Sequence, residues 1–146
     1  MNQSSRFQDE NLILADFFNE VIVVCPSCAK KAIAKTDSGT KTARLFCVHC
    51  GYNKELTTAI KHTANAQMPA NLFFDASLWL TAAFKNELFV AYNEKHLEYL
   101  ERYISAGLRE HKDRTHFTLL EKLPKFYHEA KNRDTLLKII AKLKNK

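Results

Sequence analysis

Glycine and proline are scarce here, with three of each in 146 residues. That excludes a collagen-like or low-complexity chain. It also leaves little material for the glycine-rich loops that cradle phosphates in nucleotide-binding enzymes. No P-loop, dinucleotide fingerprint, nucleophile elbow or H-E-x-x-H helix occurs. No apolar run approaches the ~18–20 residues that a membrane span needs. The opening stretch, MNQSSRFQDENLILADFF, lacks the basic start and small-residue cleavage site of a secretory signal. These absences predict a cytoplasmic, non-catalytic protein with no membrane partner and no small-molecule substrate. The hydrophobic fraction of 46% and charged fraction of 26% are ordinary for a globular chain of one domain, or of a small module docked on another.

The strongest chemical signal is the cysteines. All four fall in two C-x-x-C pairs, Cys25-Pro26-Ser27-Cys28 and Cys47-Val48-His49-Cys50, with 18 residues between the pairs. This spacing reads as a four-thiolate zinc site with Cys25, Cys28, Cys47 and Cys50 as ligands. Two disulfides or a redox dithiol are the alternatives. The strand-like sequence around the pairs and the missing signal peptide favour a reducing compartment and metal. Four thiolates close the coordination shell, so one structural Zn²⁺ is expected rather than a catalytic one. His49 lies inside the second pair and is expected on its surface. His62, His96, His111, His116 and His128 show no four-residue spacing, so no second metal site is expected.

Around the cysteines the chain reads as strands. Val21–Val24, Ala32–Thr36, Ala43–Cys47 and Tyr52–Thr58 are β-rich, and Asp37-Ser38-Gly39-Thr40 has turn composition. Each C-x-x-C should form a tight knuckle followed by a left-handed residue. Gly51 suits that position, and Ala29 should tolerate it at ~1 kcal/mol. Leu72–Leu80 and Glu87–Tyr92 alternate loosely and predict a second hairpin turning at Phe84-Lys85-Asn86. Asn93 is a good helix N-cap, followed by an apolar stripe of Leu97, Leu100, Ile104 and Leu108 and an aromatic one of Tyr92, His96, Tyr99 and Tyr103. This helix should run to about Glu110. Shorter helices fit Thr115–Lys122 and Lys125–Ala130. A last helix, starting at Asn132–Asp134 with Asp134 as cap and Arg133 exposed, buries Leu136, Leu137, Ile140 and Leu143. Trp79, Phe89, Tyr92, Leu97, Leu100 and Ile104 should join hairpins to helices.

Net charge is +6, and it is uneven. Residues 21–62 carry seven bases and two acids, and residues 101–146 carry twelve bases and six acids. Four thiolates on Zn²⁺ add −2, because binding requires deprotonated sulfur. Residues 21–62 then fall to +3 and the chain to +4. The predicted function is a nucleic-acid-associated binding module. Lys30, Lys31, Lys35, Lys41 and Arg44 around the cysteines, with Lys125, Lys131, Arg133, Lys138 and Lys142 of the helices, would contact phosphates. The alternative is a protein–protein adaptor, or an accessory subunit of a larger bacterial complex. It would use Val48 and His49, or Phe17 and Phe18 of the N-terminal arm.

CPSC and CVHCG flanking a hairpin resemble a zinc ribbon of the transcription-factor-IIB type. The resemblance implies a three-stranded antiparallel sheet with both knuckles at one end and the four cysteines as ligands. It also implies binding of nucleic acid, a polymerase or another protein. The succession LWL, AYN, EKHLEYLERYI, LPKFYHEAKNRD and a last helix is similar to a set of uncharacterised bacterial zinc-ribbon proteins, over about residues 21–144. In those the hairpin after LWL often carries Cys and Gly, where this chain has Thr81-Ala82-Ala83-Phe84. The expected fold is α+β: a four-cysteine zinc ribbon with an additional β-hairpin, followed by a C-terminal helical bundle. Residues 1–20 would be an arm or short helix, 21–62 the ribbon, and 63–146 the hairpin and helices, packed with the ribbon as one unit.

Overall fold

Strand residues alternate between faces, and in β2 (Glu20–Val24) that alternation feeds two cores. Val21 and Val23 enter one, and Ile22 enters the other. The structure, a computed structural model, describes residues 6–8, 14–58, 68–106, 108–110 and 123–146. It is α+β. Strands β2, β3 (Lys31–Asp37), β4 (Thr42–Phe46) and β5 (Asn53–Thr57) form an antiparallel sheet in that order. The resemblance implied three strands. The observed sheet has four, because β2 and β5 each pair in full five-residue ladders with their neighbours.

Register puts Val21, Ala34 and Leu45 in one row of the inner face, with Val23 opposite Ala32 in the next. All are buried. The small alanines let a 3-10 turn, Ala70–Phe74, lie against this face, where Ala70 is fully buried. This turn replaces the extended chain expected from Leu72. Asp75 ends it in the left-handed region (φ 51°), and the Asn71 side-chain amide donates to Ala76 O at 3.2 Å. The outer edge of β2 is covered. Val24 N donates to Ser77 O, Trp79 N to Ile22 O and Ile22 N to Tyr92 O, at 2.7–3.0 Å.

The second hairpin is β6 (Leu80–Phe84) with β7 (Glu87–Ala91), paired from Leu80↔Ala91 to Phe84↔Glu87. Its two-residue turn places Lys85 at φ 52°, a conformation that costs a non-glycine residue ~1 kcal/mol. Helix α1 (Glu94–Ser105) begins as expected, with Asn93 Oδ1 accepting from His96 N at 2.8 Å. It stops at Ser105 rather than near Glu110, because Ala106 is extended and buried. Gly107 follows in the sequence, a residue common just past helix ends. Leu108–Glu110 is instead a short strand, β8, parallel to β1 (Arg6–Gln8).

Helix α2 (Arg133–Lys144) buries Leu136, Ile140 and Leu143 against α1 and β6. Its start differs from expectation. Asn132 occupies the cap position without a side-chain cap bond, Asp134 lies in the first turn, and Arg133 is half-buried. The helix expected at Lys125–Ala130 is two 3-10 turns, Lys125–Tyr127 and Ala130–Asn132. Buried Asn132 closes that loop by donating to Phe126 O at 3.2 Å. The helix expected at Thr115–Lys122, most of the His62–Pro69 linker, and His62, His111 and His116 lie outside the described residues.

The larger core gathers Phe84, Phe89, Leu97, Tyr99, Leu100, Tyr103, Ile104, Phe126 and Tyr127 around Ile22, with Trp79 and Tyr92 packed against it. Phe17 joins it, stacking on His96 at 4.8 Å, and Phe18 meets Tyr92 edge-on at 5.4 Å. Both rings expected to dock on a partner therefore pack on their own chain. Among the described residues no helix is long and apolar enough to cross a membrane.

Candidate metal centre

The two cysteine knuckles are built alike. Cys25 N donates to Lys30 O and Ala29 N to Cys25 O; Cys47 N donates to Tyr52 O and Gly51 N to Cys47 O, all at 2.7–2.9 Å. Each turn closes through a left-handed residue, Ala29 at φ 62° and Gly51 at φ 80°. That conformation aims both cysteines of a pair to one side. In the first knuckle the Ser27 and Cys28 N–H groups donate to Cys25 Sγ at 3.4 and 3.5 Å. Such bonds favour the thiolate form.

All four Sγ atoms lie within 4.8 Å of one another. Cys25 Sγ–Cys50 Sγ and Cys28 Sγ–Cys47 Sγ are each 3.6 Å. A tetrahedral thiolate site with metal–sulfur bonds of ~2.3 Å has sulfur–sulfur edges of ~3.8 Å, so the donors fit a metal ion. The thiols are free, and their spacing is far beyond the ~2.05 Å of a disulfide. Cys25 and Cys47 are buried at the end of the inner core, Cys28 is half-buried and Cys50 exposed.

Proton affinities diverge within the cluster. Desolvation pushes the Cys25 thiol up, but the N–H groups of Cys28 and Ser27 and the neighbouring thiols outweigh it and bring it down to about 7. At Cys28 the N–H of Lys30 lowers the value, while desolvation and the three surrounding cysteines raise it to about 12. Crowded sulfurs resist joint ionisation. A cation among them removes that resistance, which is why such clusters bind metal and release protons together.

The ten basic residues expected at a nucleic-acid surface are spread over several elements. On the sheet's outer face, register aligns Glu20, Lys35, Arg44 and Glu55 in one row. Lys35 Nζ lies 3.9 Å from Glu20 Oε2, and Arg44 Nε donates to Asn53 Oδ1 at 3.0 Å. Lys31 lines a groove of about 530 Å³ beside Phe17, Glu20, Ile22 and Glu94. Exposed Lys30 sits in the first knuckle, and exposed Lys41 (φ 54°) in the β3–β4 turn. Lys125, Lys131, Lys138 and Lys142 are exposed, while Arg133 keeps a buried Nε without a partner among the described residues.

Sequence reasoning passed over Lys85, whose Nζ the hairpin turn places 5.4 Å from the centre of the Phe84 ring, itself stacked on Phe126. The only signal for it was the expected turn at Phe84-Lys85-Asn86. Val48, at the tip of the second knuckle, is 80% exposed, and His49 beside it is exposed. Compared with known proteins, the chain matches no family model, no curated protein and no solved structure.

Proposed function

We propose that the four cysteines hold one structural zinc ion, in a ribbon of the transcription-factor-IIB type, and that the protein is a non-catalytic module binding nucleic-acid backbone. Zinc suits four soft thiolates in tetrahedral array. Cys25, Cys28, Cys47 and Cys50 fill the shell, leaving no open position at which water or substrate would be activated. The zinc contributes folding energy to its end of the sheet.

One observation carries the binding reading and relocates it. On the sheet, the basic row is flanked by acids and already engaged. In the C-terminal third, which holds twelve bases against six acids, Lys125, Lys131, Lys138 and Lys142 all remain exposed. We therefore read the helical half as the main phosphate-facing surface, with exposed Lys30 and Lys41 of the ribbon lying outside the engaged row. The test is fluorescence anisotropy of zinc-loaded protein with labelled DNA and RNA between about 50 and 200 mM salt. About three phosphate contacts give a log–log salt slope near −3 on duplex DNA. A flat response, or no binding at the low-salt end, refutes the reading.

The exposure of Val48 supports a second reading, a protein adaptor that docks through the second knuckle. Val48→Asp would abolish a nuclease-resistant complex with such a partner and leave nucleic-acid affinity unchanged.

A further inference from the structure

We propose that Lys85, Lys125 and Lys131 form one cationic cluster that seats the phosphodiester backbone of a nucleic-acid strand. The proposal rests on the nucleic-acid reading above and gives it a place. These lysines come from three segments: the β6–β7 turn and the two 3-10 turns before α2. Buried aromatic rings bring the segments together. Lys85 Nζ lies 5.4 Å from the centre of the Phe84 ring. Phe84 stacks on Phe126 at 5.1 Å, the residue directly after Lys125. Phe126 packs on Tyr127 at 4.4 Å, and the Tyr127 hydroxyl accepts from Val90 N of β7 at 3.4 Å. Phe84, Phe126 and Tyr127 are each at least 93% buried, so the platform beneath the lysines is packed core rather than a mobile loop.

Glu129 lies within this cluster. Lys131 Nζ is 3.1 Å from its Oε2. The hydrogen bond from Lys131 holds the Glu129 carboxyl below its ordinary range against a smaller desolvation effect, and the charges of Lys131, Lys125 and Lys85 add to it. Lys131, Lys125 and Lys85 all act on this one carboxylate, and with Glu87 beside the β6–β7 turn counted as well the cluster keeps one positive charge in excess, its three lysines all being exposed. The sheet's outer row, with two bases between two acids, has no such excess. Clustered cations neutralise adjacent phosphates and release the counterions condensed on them, the main source of sequence-independent affinity. The aromatic faces here are buried, so base stacking is not available and backbone contact is the chemistry that remains.

The left-handed backbone at Lys85 makes a clean test, because asparagine suits that conformation better than lysine does. Lys85→Asn removes the charge without endangering the turn. Zinc-loaded full-length protein is titrated into fluorescein-labelled 20-mers: single-stranded DNA, duplex DNA and RNA. The K85N/K125Q/K131Q variant should lose about tenfold or more in affinity at about 100 mM salt, and its salt slope on duplex should fall by about 2–3. Lys35→Gln with Arg44→Gln, on the sheet, should change affinity less than about twofold. Glu129→Gln should raise affinity by about two- to threefold, a direction that a structural role would not give. If wild type binds and the triple variant, with an unchanged melting temperature, binds equally well, the cluster is refuted while the nucleic-acid reading stands. If wild type binds none of the 20-mers at about 50 mM salt, both fall. If single-stranded DNA, duplex and RNA bind alike, backbone recognition is supported; strong dependence on base sequence counts against it.

Discussion

Acid should weaken this fold through His96, a histidine placed where it cannot take up a proton cheaply. The ring is sandwiched between Phe17 at 4.8 Å and Tyr92 at 5.4 Å and is almost fully buried. Tyr92 N–H donates to Nδ1 at 3.0 Å, so Nδ1 is unprotonated and the neutral ring carries its proton on Nε2, which is buried without a partner among the described residues. Burial lowers the pKa from 6.5 to about 4. An unfolded chain therefore binds this proton before the folded one does. The stabilisation is fully present above pH ~6.5 and is lost as pH falls toward ~4, below which both states are charged. At ~1.4 kcal/mol per pH unit, the gap amounts to ~3 kcal/mol, a large share of the ~5–15 kcal/mol that holds an ordinary domain. The assay is urea unfolding from about pH 4 to 7.5 on wild type and His96→Gln, whose amide oxygen can still accept from Tyr92 N. Acid also protonates the metal-binding thiolates, but it does so in both proteins and cancels in their difference. That difference should be constant above pH ~6.5 and shrink by ~3 kcal/mol by pH ~4. A difference that stays flat across the whole range would show that His96 is not held neutral by burial, and the reasoning fails.

Asn93 caps α1 with its Oδ1, and its Nδ2 donates to Phe17 O at 3.3 Å and Glu20 O at 2.7 Å. Asn93→Ala should cost ~2–3 kcal/mol in urea unfolding, and Asn93→Asp, which keeps only the acceptor, about half as much. Ala29→Gly should stabilise the metal-loaded protein by ~1 kcal/mol, since Ala29 sits at φ 62°. Gly51→Ala should cost a similar ~1 kcal/mol from backbone alone, because an added Cβ there meets no atom within 4 Å. Elemental analysis should find one zinc per chain, against less than half for Cys28→Ser, and a chelator should broaden the amide NMR signals of β2–β5 before those of α1 and α2. Lys144→Ala breaks a half-exposed ion pair with Glu101 and should change stability by less than ~1 kcal/mol.

The parts of this fold legible in sequence were those with local causes. The cysteine knuckles follow from spacing, and even the left-handed Ala29 could be read by analogy with Gly51. The cap at Asn93 and the stripe Leu97, Leu100, Ile104 follow from periodicity. Helix ends were less legible. Leu108 continues the apolar stripe of α1, yet the chain leaves the helix at Ala106 because β8 pairs with β1, near the other end of the sequence. Pairing at that distance has no local signature. Lys125–Ala130 has helical composition, but Pro124 opens it and the Asn132 amide ties back to Phe126 O, so the segment folds as turns. Charge could be counted from sequence but not located. Register sets Glu20 and Glu55 beside Lys35 and Arg44, and the Phe84–Phe126 stack joins the Lys85 turn to the segment of Lys125; neither arrangement has a local signature.

The described residues divide into a half with a thin core and four thiolates placed to hold a metal, and a half with a large aromatic core. The inner face of the four-stranded sheet is lined by Val21, Val23, Ala32, Ala34, Ala43 and Leu45. Alanine buries little apolar surface, and at ~25 cal/mol per Å² such a face yields far less than an aromatic core. The other core has Phe84, Phe89, Tyr99, Tyr103, Phe126 and Tyr127 packed with Leu97, Leu100, Leu136 and Ile140. Side chains of that size supply cohesion without cross-links. The alanines cannot simply be enlarged, because the 3-10 turn at Ala70 needs the space above them. A metal held by the four thiolates, as proposed, would compensate for the thin core at the end where Cys25 and Cys47 are buried, and Ile22 ties that end to the aromatic half. The division also bears on the proposed surface: Lys85, Lys125 and Lys131 are exposed beside the half with the stronger core, so neutralising them should leave that core intact.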